Sequence, residues 1–334
     1  MKRKLAFLLM LCFGWSFFLN GCGGTLPKTD DRLQVVCTIF PEYDWARQLT
    51  QGVDNVDLTL LVKNGTDLHS YQPSVRDIAM IARADVFCYV GGVSDTWVND
   101  VLDTTENRTA QLVSMAKAAD ADEEVLAEGM QAEHEHEHEH EHEHHDDEND
   151  SHEEPPELDE HVWLSLRRAA LACTAMKEAL CKADPAHEDI YNQNCTDYLQ
   201  KLQELDSDFT EMTSQAARDT IVVADRFPFR YLAEDYGLTY YAAFPGCSAE
   251  TEASFETIVF LSEKVESLHL PCVLVTEGSN SSLAKTILEN AGSDGKILTL
   301  QSLQAVSQKE IDAGVTYLSK MQENYDVLKQ ALNS

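Results

Sequence analysis

Residues 185–217 run without an internal proline or glycine. Ile190, Tyr191, Tyr198, Leu202, Leu205, Phe209 and Met212 recur along them at helical spacing. Asp184-Pro185 stops the preceding pattern and opens this one. A single helix of about 30 residues is roughly 45 Å long, enough to span two domains. Such a length is unusual within one globular unit, so the flanks decide the fold.

Both flanks repeat one local grammar, in which a short β-branched run leads through a polar turn into a helical pattern. Before the long segment, residues 33–40 read as a strand that Pro41 breaks, with a helix over 43–49. Residues 56–62 form a second strand, followed by a turn through His69 and a helix over 73–84. Residues 85–90 form a third, closed by Gly91-Gly92, and 164–182 a further helix. After the long segment, strands fall at 220–224, 238–243, 272–276 and 297–300. Helices separate them at 229–236, 255–268 and 283–291, and a terminal helix runs over 314–332. Strands alternating with helices imply parallel sheets built from βαβ units. The expected fold is α/β: two Rossmann-like lobes, 32–184 and 219–334, joined by one long helix over 185–218.

The first 21 residues belong to neither lobe. Lys2, Arg3 and Lys4 precede a 15-residue apolar run, 5–19, too short for the roughly 20 residues of a membrane-spanning helix. This pattern is an export signal. Leu19-Asn20-Gly21-Cys22 resembles the bacterial lipoprotein processing box, which implies lipidation at Cys22, with 22–31 as a tether holding the protein at the outer side of the cell membrane. Seven cysteines follow Cys22, without the paired spacing of a metal knuckle. Most sit in apolar runs, where a cysteine packs as a small hydrophobe.

The formal charge of -33 is concentrated in one place. Residues 120–160 carry 20 acidic groups and no lysine or arginine, leaving -13 elsewhere. No basic face remains, which disfavours nucleic acid as a partner. Inside this tract six Glu-His pairs place His134, His136, His138, His140, His142 and His144, followed directly by His145. Neutral imidazoles bind late first-row divalent ions, and interleaved carboxylates raise the local cation concentration. Residues 133–150 lack apolar side chains and build no core, so the loop over 120–158 that contains them is expected to hold several ions weakly.

A defined site has to come from the lobes. Ligands of parallel α/β sheets collect at the carboxyl ends of strands. The turns there carry His69, Asp225 with Arg226, and Glu277, and His161 precedes the helix opened by Val162-Trp163-Leu164. Two histidines so placed, beside a histidine-rich loop, point to a transition-metal site.

At these residues the chain resembles the solute-binding lipoproteins of zinc and manganese ABC importers, the ZnuA, TroA and PsaA group. Asn64-Gly65-Thr66-Asp67-Leu68-His69-Ser70-Tyr71-Gln72-Pro73-Ser74 is similar to the turn carrying that family's first histidine ligand. Asp159-Glu160-His161-Val162-Trp163-Leu164 is similar to the segment carrying the second, usually Asp-Pro-His-Val-Trp-Leu. The likeness extends from about Leu33 to the C-terminus and implies a metal held between two lobes, delivery to a permease, a monomer and no catalysis. A histidine-rich insertion before the second ligand matches the zinc-handling members. Gln301-Ser302 after the last strand departs from the aspartate of manganese-type members, so zinc is expected over manganese.

One position breaks the pattern. Where the family has a further His or Glu ligand this chain has Arg226, and a guanidinium offers no lone pair to a metal. Either Asp225 turns inward, the preferred reading, with Arg226 paired to another carboxylate, or fewer protein ligands bind with water. Glu277 is a candidate fourth ligand, with Glu250 and Glu252 as others. Competing functions are a zinc-dependent metallohydrolase using His69, His161 and Asp225, and a surface adhesin or zinc buffer relying on the loop alone. The hydrolase lacks a His-Glu-x-x-His or Gly-x-Ser-x-Gly motif.

Overall fold

Strand and helix alternate into two sheets, each of four parallel strands. The computed structural model describes residues 32–63, 65–105, 109–130, 158–248 and 252–334. The export signal, Cys22, the tether, Asn64, Glu250 and the histidines from His134 to His152 lie outside the described residues.

The first half contains β1 (Leu33–Cys37), α1 (Phe40–Leu49), β2 (Val56–Leu60), α2 (Val75–Ile81), β3 (Val86–Tyr89), α3 (Trp97–Thr104), β4 (Gln111–Ser114) and α4 (Met115–Ala118). Two helices follow, α5 (Leu166–Ala183) and α6 (Glu188–Ser214). The second half contains β5 (Thr220–Phe227), α7 (Arg230–Asp235), β6 (Thr239–Pro245), α8 (Phe255–Ser267), β7 (Cys272–Thr276), α9 (Ser282–Asn290) and β8 (Lys296–Leu300). Helices α10 (Gln308–Asp312) and α11 (Tyr317–Asn333) end the chain.

The two sheets share a topology, β2-β1-β3-β4 and β6-β5-β7-β8. In each, the strand order reverses beside the first strand, opening a crevice at the carboxyl ends. The 27-residue α6 joins them, as its sequence requires. Tyr191, Cys195, Tyr198, Leu202, Leu205, Phe209 and Met212 line its buried face against α5, α1 and α11. Each such side chain contributes about 1.5–3 kcal/mol by leaving water.

Three local outcomes differ from expectation. Pro41 does not separate strand from helix but occupies the first turn of α1, where its missing N–H costs nothing. Strand β4, with a single fully buried residue, Val113, completes a sheet expected to have three strands. Strand β5 continues to Phe227 through a register shift between Val223 and Arg226, a bulge that re-aims the side chains within it.

The halves are bound together behind the crevice. Asp44 in α1 accepts the Tyr317 N–H at the start of α11 (2.7 Å), and Arg47 donates to the Val315 carbonyl (2.9 Å). The Tyr317 hydroxyl donates to the Trp163 carbonyl (2.6 Å), and the Trp163 indole N–H donates to the Ser302 carbonyl (2.8 Å). Trp45 meets Tyr317 edge to face at 5.2 Å. The seven described cysteines are free thiols, five of them buried.

Candidate metal centre

His69 lies in a 3-10 turn, Leu68–Ser70, between β2 and α2. Asp67 caps this turn by accepting the His69 backbone N–H at 3.0 Å. Its other oxygen takes Nη2 of Arg226 at 2.8 Å, an ion pair joining the two halves. His161 directly precedes a second 3-10 turn, Val162–Leu164. The approach to it is anchored by an antiparallel bridge between Glu123 and Leu158 and by the Tyr231 hydroxyl on the Asp159 carbonyl (2.7 Å).

The two imidazoles converge with centroids 5.7 Å apart. Oδ1 of Asp159 takes both Nδ1 (2.9 Å) and the backbone N–H (3.1 Å) of His161. Nδ1 of His69 lies 2.7 Å from Oγ of Ser94. With each Nδ1 occupied, each Nε2 is left buried without a hydrogen-bond partner. A buried polar atom without a partner costs about 1–3 kcal/mol, so two such nitrogens in one crevice mark a place for an electron-pair acceptor.

Glu160 joins them. One ligand atom from each of His69, Glu160 and His161 lies within 4.8 Å of the others, and among the described residues this is the group able to hold a metal. The Glu160 carboxylate is fully buried and accepts the Ser94 N–H (3.0 Å) and the Ser94 hydroxyl. Gly92 makes room for it, since a Cβ there would stand 2.2 Å from Oε2. Gly246 does the same for His161, with a Cβ falling 2.9 Å from Cε1 of the ring.

Burial, then the neighbouring His161 and Arg226, lowers the His69 pKa to about 4, so this ring is neutral and competent to ligate at neutral pH. Burial also pushes the His161 pKa down, but the bond to Asp159 and that carboxylate's charge outweigh it and hold the pKa above the ordinary value. Burial raises Glu160, and it lifts Asp95 to about 7. The region therefore holds carboxylates that lack water and favour a cation.

Asp225 and Glu277 do not join the histidines. The β5 bulge turns Asp225 back into its own sheet, where Oδ2 takes the Thr276 hydroxyl (2.8 Å) and Oδ1 the Arg226 N–H (2.9 Å). Both Glu277 oxygens are held by Ser302, at 2.6 Å from its N–H and 2.6 Å from its hydroxyl. Glu252 is exposed. The expected pairing of Arg226 with a carboxylate is present, with Asp67 as the partner. Asp67, Asp225, Arg226, Gly246 and Glu277 face a cavity of about 360 Å³. The residue missed from sequence is Glu160, whose signal was an acid set directly beside His161 ahead of a wholly apolar Val162-Trp163-Leu164.

Two parallel-sheet lobes on one helix, enclosing a pair of unpartnered imidazoles, define a binding protein built around a small solute. The family model described as zinc-uptake complex component A, periplasmic, matches residues 35–331, and the chain belongs to that family. Among its relatives, the zinc-binding lipoprotein AdcA of Streptococcus pneumoniae is 32% identical over 330 residues, 99% of this chain. The chain spans 61% of the length of that relative. The high-affinity zinc uptake system protein ZnuA of Bacillus subtilis is 30% identical, covering 98% of this chain and 96% of its own. The Zn(II)-bound ZnuA-like domain of S. pneumoniae AdcA superposes with a TM-score of 0.69 at 29% identity, over 91% of this chain and all of that one.

Proposed function

We propose that this protein captures zinc outside the cytoplasm and hands it to the permease of an ABC importer, leaving the ion chemically unchanged. The observation carrying this reading is the pair of buried, unpartnered Nε2 atoms of His69 and His161. A neutral His69 imidazole and a His161 ring whose proton the ion displaces, together in a dry crevice, suit zinc, which takes nitrogen ligands at about 2.0–2.1 Å. The relatives support it: AdcA is named a zinc-binding lipoprotein, and its ZnuA-like domain was solved with Zn(II) bound. The metallohydrolase reading finds no support in this family, whose model describes a component of an uptake complex.

In this reading residues 1–21 direct export and Cys22 carries the lipid that holds a monomer at the membrane. Among the described residues no helix is long and apolar enough to cross it. The lobes extend over 32–184 and 219–334 with 185–218 between them, and the loop over 120–158 is a separate, weaker reservoir. Its histidines, His134 to His145, raise the ion concentration near the site without defining it.

The test is metal content by mass spectrometry on three proteins: the full chain, a variant lacking 133–150, and the double variant His69→Ala, His161→Ala. One zinc equivalent that survives loop deletion and vanishes in the double variant is expected. One equivalent of manganese in place of zinc, or a tight site that survives loss of both histidines, would overturn the reading.

A further inference from the structure

We infer that Glu160 is the anionic ligand of this centre, so that every protein ligand comes from the chain preceding α6. The inference rests on the zinc-capture reading and extends it to the make-up of the ligand set.

A Glu160 oxygen lies within 4.8 Å of the ligand atoms of both histidines, and Oε1 is 3.5 Å from Nδ1 of His69. Its carboxylate is buried without a lysine or arginine ion pair among the described residues, its partners being Ser94 and His69. A buried carboxylate without a compensating cation is strongly destabilising unless it is neutralised or bound to a metal. Here a ring nitrogen of each histidine lies within 4.8 Å of a Glu160 oxygen, each imidazole has an unpartnered Nε2, and a divalent ion held among the three side chains satisfies them together. The backbone is shaped to admit the group, because any side chain at Gly92 would collide with it.

Arg226 supplies the complement. It enters from β5 on the opposite half, where it bonds Asp67 and so fixes the turn that bears His69. The second lobe thereby contributes a strut, and with Gly246 a floor under His161, but no donor atom among the described residues. Asp225 and Glu277, both on that lobe, are held by Thr276 and Ser302. Ligation is one-sided, and affinity does not depend on drawing ligands in from the other lobe.

A second role for Glu160 has to be separated from ligation. Through Ser94 its charge could orient His69 in the way Asp159 orients His161, and loss of such an orienting partner costs about 10–100-fold in affinity. The experiment therefore compares Glu160→Gln with Ser94→Ala in zinc titrations of the full chain against a chromophoric chelator strong enough to strip the loop. Cobalt(II) spectra and X-ray absorption of the zinc form report the ligand set, and thermal melting of the metal-free forms reports folding.

Glu160→Gln should lower zinc affinity by more than about 100-fold, Ser94→Ala by about 10–100-fold. The cobalt spectrum should change in the first and not in the second. Asp225→Asn and Glu277→Gln should leave affinity unchanged. Should Glu160→Gln fail to fold, Glu160→Asp keeps the charge and shortens its reach by one methylene, with the same loss and spectral change expected. Equal losses in the glutamine and Ser94 variants would overturn ligation in favour of positioning. Wild-type affinity in Glu160→Gln, with the His69 and His161 double variant still losing the site, would overturn this inference and leave zinc capture standing. Survival of the site in the double variant would overturn both.

Discussion

Replacing Asp159 by asparagine separates the orientation of His161 from its ligation. Oδ1 of Asp159 holds Nδ1 of His161 at 2.9 Å and its backbone N–H at 3.1 Å, with the imidazole fully buried. Asparagine keeps an oxygen at that place but removes the charge. A hydrogen bond to a charged group contributes about 1.5–3 kcal/mol and a neutral one about 0.5–1.5, so roughly 1.4 kcal/mol of orientation is lost. That difference is about tenfold in zinc affinity at pH 8. Alanine, which also removes the acceptor, should approach the hundredfold end of the range for groups that orient a metal-bound histidine. The pH dependence adds a sign. Asp159 holds the His161 pKa above its ordinary value, and zinc must displace that proton. Without the charge, burial lowers the pKa and proton competition weakens. The gap between wild type and Asp159→Asn should therefore narrow as pH falls from 8 to 6. Chelator competition at the two pH values measures it. Equal affinities at pH 8, or a gap that widens toward acid, would refute the argument.

Gly246→Ala places a methyl 2.9 Å from Cε1 of His161 and 3.1 Å from the Phe227 carbonyl, and should cost about 1–3 kcal/mol in overpacking together with weaker zinc binding, read by melting and titration. Trp163→Phe removes the indole donor from the Ser302 carbonyl and should lower unfolding free energy by about 1–3 kcal/mol in urea melts of the metal-free protein. For His69, held near 4 in the fold against an ordinary 6.5, the unfolded chain binds more protons between those values. Its contribution to metal-free stability is present above pH 6.5 and is lost as pH falls toward 4, so nuclear magnetic resonance should show the His69 ring unprotonated at pH 5.5.

Periodicity made the architecture readable because long helices and β-branched strands announce themselves. The buried face of α6 holds six of the seven residues its spacing nominated, Ile190 being only partly covered. Short elements are harder to see, and Gln111-Leu112-Val113-Ser114 joins a sheet because β3 offers it an edge, not because its own pattern is strong. The histidines were legible since few residue types serve a metal and both lie beside recognisable turns. The carboxylates were not, because a one-residue bulge in β5 sets how Asp225 and Arg226 are aimed, and nothing local in Val223-Ala224-Asp225-Arg226 records it. Glu160 was not legible either, since it sits on a segment placed by Tyr231 and by the Glu123–Leu158 bridge.

Trp163 stands two residues beyond His161, and its indole and carbonyl reach Ser302 and Tyr317. Any force that parts the lobes is therefore transmitted along three residues of backbone to the His161 ring. On the proposed role in zinc delivery, a partner that levers the C-terminal half outward would spend its work on the segment bearing His161, which makes release a mechanical event.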